Sequence, residues 1–403
     1  MTDPIEAPGD HWSRAPRTPD EASVKKALRA VFIAFGVTGF AFASWASRLP
    51  DVKVLLGLTA GQLSQVLLVS ALGSVLGLPI AGKVVERVGT RRTIEIAATF
   101  FGLGLAVAAI GVTVLNVWVV MAGVFVVGTF MGVWDVAMNH EGATVERHLG
   151  RAIMPWFHAA FSMMTVVGAL IGALMTGLHV PVWAHMLLPL ASIAWVVLGG
   201  IRGFLPCEAD EAEEQVEKGR SAWAEPRTLL VGLIVLVAAF TEGTANDWVA
   251  IALREGYGLP GWVGVLGFAV FLGTMTLGRV LGTGLLDRYG RVPVLRAMFA
   301  VAFVGSLLVV FGGPVLAFVG AALWGVGASL GFPVGMSAAS DEPSRAAARL
   351  SVVATIGYLA FIGGPALVGF LGDHVGVLKA LLAVGVLLIP ATLALPAVRP
   401  PQR

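Results

Sequence analysis

The chain has 403 residues, of which 57% are hydrophobic and only 13% are Asp, Glu, Lys or Arg, with a mean hydropathy of +0.85 and a formal charge of +2. Soluble domains carry about 25% charged residues to keep their surface wet, so most of this surface must face lipid, and the near-neutral balance implies no nucleic-acid partner. Cys207 is the sole cysteine, which excludes an intrachain disulfide and a Cys-based metal site.

Residues 1–26 are polar and contain Pro4, Pro8, Pro16 and Pro19. They lack the apolar core and small-residue end of a cleavable signal peptide and are expected to form a disordered cytoplasmic tail. A bilayer crossing needs roughly 20 apolar residues of helix. Stretches of that kind predict spans near 27–47, 61–84, 93–113, 117–140, 153–177 and 182–201, making a first bundle over 27–201. Residues 202–227, rich in Glu, read as a cytoplasmic linker. A second bundle over 228–397 follows, with spans near 228–251, 262–285, 292–312, 315–338, 349–371 and 376–397, and then a short tail over 398–403. The expected fold is therefore an all-α membrane protein of twelve transmembrane helices in two six-helix bundles. With the N-terminus inside, 22 of the 27 Lys and Arg fall in cytoplasmic segments and four (Arg48, Lys53, Arg254 and Lys379) in outer loops. That bias is the positive-inside pattern, and it puts both termini on the cytoplasmic side of a multi-pass inner-membrane protein. Arg279 completes the 27 and lies inside span eight, away from its ends.

The two halves repeat. After span two comes Gly82-x-x-x-Glu86-Arg87-x-Gly89-Thr90-Arg91-Arg92, and after span eight Gly284-x-x-Asp287-Arg288-x-Gly290-Arg291. An offset of 201 residues superposes Glu86 on Asp287, Arg87 on Arg288, Gly89 on Gly290 and Gly77 on Gly278. A repeat at half the chain length marks many secondary transporters. These two loops resemble the signature Gly-x-x-x-Asp-Arg-x-Gly-Arg-Arg of the major facilitator superfamily. They depart from it by Glu86 for Asp, by the inserted Thr90, and by Thr283 where the first Gly of the second copy is expected. The resemblance implies that Glu86, Arg87, Arg91, Asp287, Arg288 and Arg291 latch a cytoplasmic gate when the carrier faces outward. The other reading is that these charges only anchor topology.

Ionisable side chains within spans are costly and therefore functional candidates. Span four carries Trp134-Asp135 and Asn139, so Asp135 and Asn139 share a helix face at i, i+4 spacing. Span five carries His158, Ser162 and Thr165 at similar spacing. Asp135 and His158 then form either a proton or substrate relay or a structural pair joining two helices. Span seven carries Glu242 and Asn246, again a carboxylate and an amide one turn apart, with Gly243 between them. Asp247 is expected nearer the outer surface as a solvated cap, and Arg279 to snorkel toward the cytoplasm or join the latch. Thr38, Trp45, Trp134, Ser162, Trp324, Ser337, Thr355 and Tyr358 are candidate cavity-lining groups.

Asp135-x-x-x-Asn139, Met154-Pro155-x-Phe157-His158, Glu242-Gly243-x-x-x-Asp247-Trp248 and Gly357-Tyr358…Gly364-Pro365 resemble a bacterial subgroup near the fucose–proton symporters. That resemblance implies a sugar-like substrate and proton coupling, with Glu242 or Asp135 as the protonation site and His158 as the alternative titrating group. Proton-coupled efflux of amphipathic drugs or metabolites uses the same machinery, and a non-transporting membrane sensor is a further reading. No His-Glu-x-x-His zinc spacing and no phosphate-cradling Gly-x-x-x-x-Gly-Lys-Ser/Thr loop occurs. An enzyme, a metal site and a bound cofactor are accordingly not expected. The expected partners are a small-molecule substrate, protons and membrane lipid around a monomer.

Overall fold

The computed structural model describes residues 20–150, 153–205, 221–342 and 345–400. Asp20 caps the first helix through its carboxylate, which accepts from Ser23 N at 2.9 Å. That helix, α1 (Glu21–Ala46), thus begins six residues before the predicted span and takes residues 20–26 out of the expected tail. Residues 1–19, Cys207 and most of the linker lie outside the described residues. The remaining helices are α2 (Leu49–Leu55), α3 (Ala60–Thr113), α4 (Val117–Leu149), α5 (Met154–Gly177) and α6 (Val182–Trp195) in the first half. The second half holds α7 (Pro226–Tyr257), α8 (Gly261–Tyr289), α9 (Arg291–Phe311), α10 (Gly313–Ala328), α11 (Gly331–Ala339), α12 (Ala346–Val375), α13 (Val377–Ala380) and α14 (Leu382–Ala394).

Eleven helical stretches among the described residues are long and apolar enough to cross a membrane. One of them, α3, has 54 residues, about 81 Å at 1.5 Å per residue against a bilayer core of about 30 Å. Its interior contains Gly89 at φ 79°, ψ 159°, outside the helical region. Gly290, at the matching place between α8 and α9, has φ 79°, ψ 167°. Only glycine adopts such angles readily, so the same residue makes the same turn in both halves.

Helix crossings repeat as well. In lipid the hydrophobic effect does not drive helices together, so small residues that let backbones approach do that work. A Cβ on Gly77 would run into the carbonyl of Thr129 on α4, and one on Gly278 would meet Ser329 Oγ at 2.7 Å. Likewise Gly104 lies 2.8 Å from Gly123 O and Gly305 lies 2.7 Å from Gly320 O, measured from where a Cβ would sit. One apolar core is confined to the first half, whereas the core of the second half also takes in Ala46, Leu49, Ala60, Leu63, Ala169 and Ala173 of the first, and Trp45 and Leu58 pack against both.

The halves meet at one end. Asp51 Oδ1 accepts from Arg254 Nη1 at 3.0 Å, and Lys53 Nζ pairs with Glu255 Oε1 at 2.5 Å. Asp373, at the end of α12, accepts from Thr59 Oγ1 at 3.1 Å and from Gly61 N at 3.0 Å. There it caps the start of α3 from the opposite half, where a carboxylate is favoured by the free N–H groups and the helix dipole. Ser64 Oγ donates to Pro365 O at 2.5 Å. At the other end, where both Gly–Arg turns lie, Glu86, Arg87 and Asp287 are exposed and make no hydrogen bond or ion pair among the described residues.

Candidate functional site

The middle of α7 is a polar stretch on a largely buried helix. Two thirds of the apolar window of α7 is buried inside the protein, a share matched only by the first span. At 100° per residue, Glu242, Asn246, Gly243 and Asp247 occupy a sector of about 140° on this helix. A Cβ added at Gly243 would meet nothing within 4 Å. Open space therefore lies against this face, deep in the protein and away from lipid.

Charges from both halves border that space. Glu242 Oε2 accepts from Arg279 Nη2 of α8 at 2.8 Å. Arg279 Nε also approaches Ser329 O at 3.4 Å, where the chain breaks between α10 and α11 and leaves that carbonyl outside the helical ladder. This is a correction: Arg279 neither snorkels nor joins the gate loop, because a carboxylate and a freed carbonyl lie closer than the surface. His158 of α5 is exposed within the protein, edge-on to Phe35 at 5.1 Å, and lies within electrostatic reach of Arg279 across the gap. Asp135 of α4 accepts from Asn139 Nδ2 at 3.2 Å, and the same amide donates to the Asp135 carbonyl at 2.9 Å. Asp135 in turn lies within electrostatic reach of Tyr358 on α12. The structure does not bond Asp135 to His158, so the relay expected between them has no direct contact.

Asn246 does not bond Glu242, which has turned to Arg279 instead; its Oδ1 is buried without a partner. Asp247 is half-buried and has no hydrogen bond or ion pair among the described residues. It follows Gly243 by one turn and shares its face, so the solvated outer cap expected from sequence becomes a carboxylate beside the interior space. Thr244 Oγ1 and Trp248 Nε1 are buried and unbonded nearby.

Several expected lining groups are packing residues. Trp134 and Trp324 are fully buried in their own halves, Trp134 edge-on to Phe101 and Trp324 donating Nε1 to Thr241 O at 3.2 Å. Thr38 and Ser162 are also buried; Thr38 donates back to Ala34 O at 2.7 Å, and Ser162 O accepts from Thr165. The Thr38 hydroxyl is thus taken up by the backbone of its own helix. Trp45 sits half-buried between the halves. Thr355 and Tyr358 are exposed on α12. Ser337 lies at the Gly–Arg end, where its Oγ accepts from Arg291 Nη2 at 3.0 Å.

The gate-loop residues divide. Gly82 is exposed on α3 with open space beside it, Arg288 lies over the Tyr289 ring at 5.2 Å, and Arg91 pairs with Glu95 at 2.8 Å. Arg291 pairs with Asp341 at 2.8 Å, and Arg227 joins the same carboxylate at 2.7 Å. In the first half the residue after the turn is Thr90, which donates Oγ1 to the buried Glu141 at 2.7 Å, while Glu141 Oε1 accepts from Leu205 N at 2.7 Å. The insertion of Thr90 thus puts a hydroxyl–carboxylate hydrogen bond where the second half has an arginine–carboxylate pair. Sequence reading missed Glu141 and the Asp51–Arg254 and Lys53–Glu255 closures. The latter had a signal: outer loops hold few basic residues, and Lys53 and Arg254 fall at the repeat offset of 201.

A family model described as Major Facilitator Superfamily matches residues 31–360. The chain is 31% identical over 370 residues to the uncharacterized transporter y4wD of Sinorhizobium fredii, covering 88% of this chain and 96% of that one. It is 30% identical over 346 residues to an uncharacterized MFS-type transporter of Yersinia pestis, covering 85% and 88%. Among solved structures, the nucleoside transporter NupG superposes with a TM-score of 0.75 at 13% identity, over 93% of this chain and 98% of that one. FucP in the outward conformation superposes with a TM-score of 0.59 at 14% identity, over 92% and 100%. At such identities the structural likeness carries the fold alone.

Proposed function

This chain belongs to the major facilitator superfamily of transporters, and from that premise we propose that it carries a small polar, sugar-like solute across the cytoplasmic membrane by alternating access, coupled to protons. The break at Gly89 divides α3 into two crossings, which makes twelve spans. The Lys and Arg bias puts the Gly–Arg turns and both termini in the cytoplasm. On that orientation the joined end is the outer one, and the interior space opens inward. The unpartnered state of Glu86, Arg87 and Asp287 fits this, since a cytoplasmic latch engages only when the carrier faces out.

The observation that carries the reading is the set of polar groups beside the interior space: the Glu242–Arg279 pair, His158, and two carboxylates, Asp135 and Asp247, that no cation offsets among the described residues. An uncompensated carboxylate inside a membrane is costly, and taking up a proton removes the cost. Glu242 already has its counter-charge, so Asp135 is the better protonation site. Proton binding at Asp135 discharges the cavity and lets the loaded carrier reorient. The pair and the unbonded Asn246 amide then hold hydroxyl groups.

The test is counterflow in proteoliposomes with radiolabelled sugars and nucleosides, alongside gradient-driven uptake. Wild type should exchange and accumulate one of them, and Asp135→Asn should exchange it but fail to accumulate it. No exchange with any member of either class would sink the polar-solute reading, and unimpaired accumulation by the variant would sink the role of Asp135.

A further inference from the structure

At the joined end a cavity of about 420 Å³ lies beside α2, lined by the first half except for Arg254 of α7. Its polar lining includes Arg48, Asp51, Thr176 and Arg254, and its rim is apolar, with Leu55, Leu115 and Trp183 about half exposed. Arg48 is 3% exposed. Its Nε lies 3.0 Å from Asp51 Oδ2 as an ion pair without a hydrogen bond, its Nη2 donates to Val180 O at 2.7 Å, and its Nη1 is buried and has no partner. Asp51 is also the partner of Arg254, at 3.0 Å. Two guanidinium groups therefore share one carboxylate. The neighbouring Lys53–Glu255 pair is self-neutralised, so the cavity keeps one uncompensated positive charge.

A buried cation with an unmet donor is expensive unless something answers it. The planar fork of arginine matches the oxygens of a phosphate or carboxylate, and the volume falls in the range of small-ligand sites, about 300–1,000 Å³. We propose that this cavity binds a phosphate-type oxyanion that bridges Arg48 of the first half to Arg254 of the second. Because the two arginines come from opposite halves, the anion binds only while this end is closed, and by mass action it holds the end closed. That gating consequence rests on the alternating-access reading above; the binding itself does not. The apolar rim, with Trp183 placed as interfacial tryptophans are, suits a lipid phosphodiester as well as free phosphate.

The test is thermal unfolding of the purified full chain, followed by tryptophan fluorescence and titrated with inorganic phosphate at constant ionic strength against chloride. Wild type should show a saturable rise in melting temperature. Arg254→Gln, at a side chain 27% exposed, should fold and bind phosphate about tenfold more weakly, as losing one charged hydrogen bond implies. Arg48→Lys should do the same, and if it fails to fold, Arg254→Gln decides alone. Two nanodisc preparations separate the sources, one of phosphatidylcholine and one that also contains phosphatidylglycerol. A rise with phosphatidylglycerol that abolishes the phosphate response assigns the site to lipid, whereas an equal phosphate response in both assigns it to the free anion. No response to either, or an unchanged response in Arg254→Gln, overturns the proposal. Since unfolding needs no transport, that failure leaves the transport reading standing.

Discussion

Reversing the charge of Lys53 should open the joined end. Lys53 Nζ lies 2.5 Å from Glu255 Oε1 across the two halves, and the side chains are 12% and 34% exposed. Fully exposed pairs contribute about 0.2–1 kcal/mol, and breaking a fully buried one costs about 3–5 kcal/mol. A pair with one buried and one partly wet partner falls between, at about 1–2 kcal/mol. Lys53→Glu also sets two carboxylates against each other, and solvent at Glu255 screens that repulsion to about 1 kcal/mol, for a total of about 2–3 kcal/mol. At about 1.4 kcal/mol per factor of ten, the closed-to-open ratio falls roughly 30- to 150-fold. The single native cysteine makes the assay clean. With Cys207→Ser and Ala250→Cys, an impermeant maleimide added outside reports exposure of a residue that is 4% exposed and two turns beyond Gly243 on the same face of α7. Labelling should be slow in that background, fast with Lys53→Glu, and slow again when Glu255→Lys restores the pair. Unchanged labelling in a folded Lys53→Glu protein, or no rescue by the second reversal, would refute the closure.

Arg279→Gln strands the Glu242 carboxylate, and since the two side chains are 31% and 25% exposed the loss should be about 1–3 kcal/mol, below the fully buried range. Adding Glu242→Gln should recover most of the lost melting temperature; no recovery would mean that the two do not act as a pair. Gly128→Ala should destabilise strongly, because the new methyl would run into the carbonyl of Ser70 on α3, whereas Gly243→Ala meets open space and should fold normally. Comparable expression and melting temperature of the two variants would count against the close α3–α4 crossing. Burial pushes the Glu225 carboxyl up, but the Thr228 hydroxyl and the Arg349 and Arg345 charges outweigh it and hold the group below its ordinary 4.5. Its contribution to stability is therefore present above that value and is lost as the pH falls through the lower folded-state value. Melting temperature should drop more steeply below about pH 4.5 in wild type than in Glu225→Gln, and parallel curves would exclude this contribution.

The residues that mattered were legible to different degrees. Gly89 and Gly290 were readable because a repeated glycine at a fixed offset has one physical use, a positive-φ turn. Asp135, His158, Glu242 and Arg279 were readable because charge in an apolar span is rare and costly. Their partners were not, since Glu242 has an amide one turn away along its helix but bonds an arginine 37 residues further along the chain, 2.8 Å away in space. Trp134 and Trp324 read as lining because aromatic rings suit both a cavity and a core, and helical phase alone does not say which neighbour a face meets.

The sequence by itself determined the class of protein, its apolar helices, its internal repeat and its two glycine turns. Hydropathy, Lys and Arg placement and glycine spacing are local or periodic properties, and each residue contributes to them without reference to any other part of the chain. Only the tertiary structure decided which end is closed, which carboxylate has a counter-charge, and that Arg48 and Arg254 share Asp51. Those are statements about distances between residues from different helices, and often from different halves. Electrostatic and hydrogen-bond energies fall off over a few ångströms, so no pattern along the chain specifies them until the helices have packed.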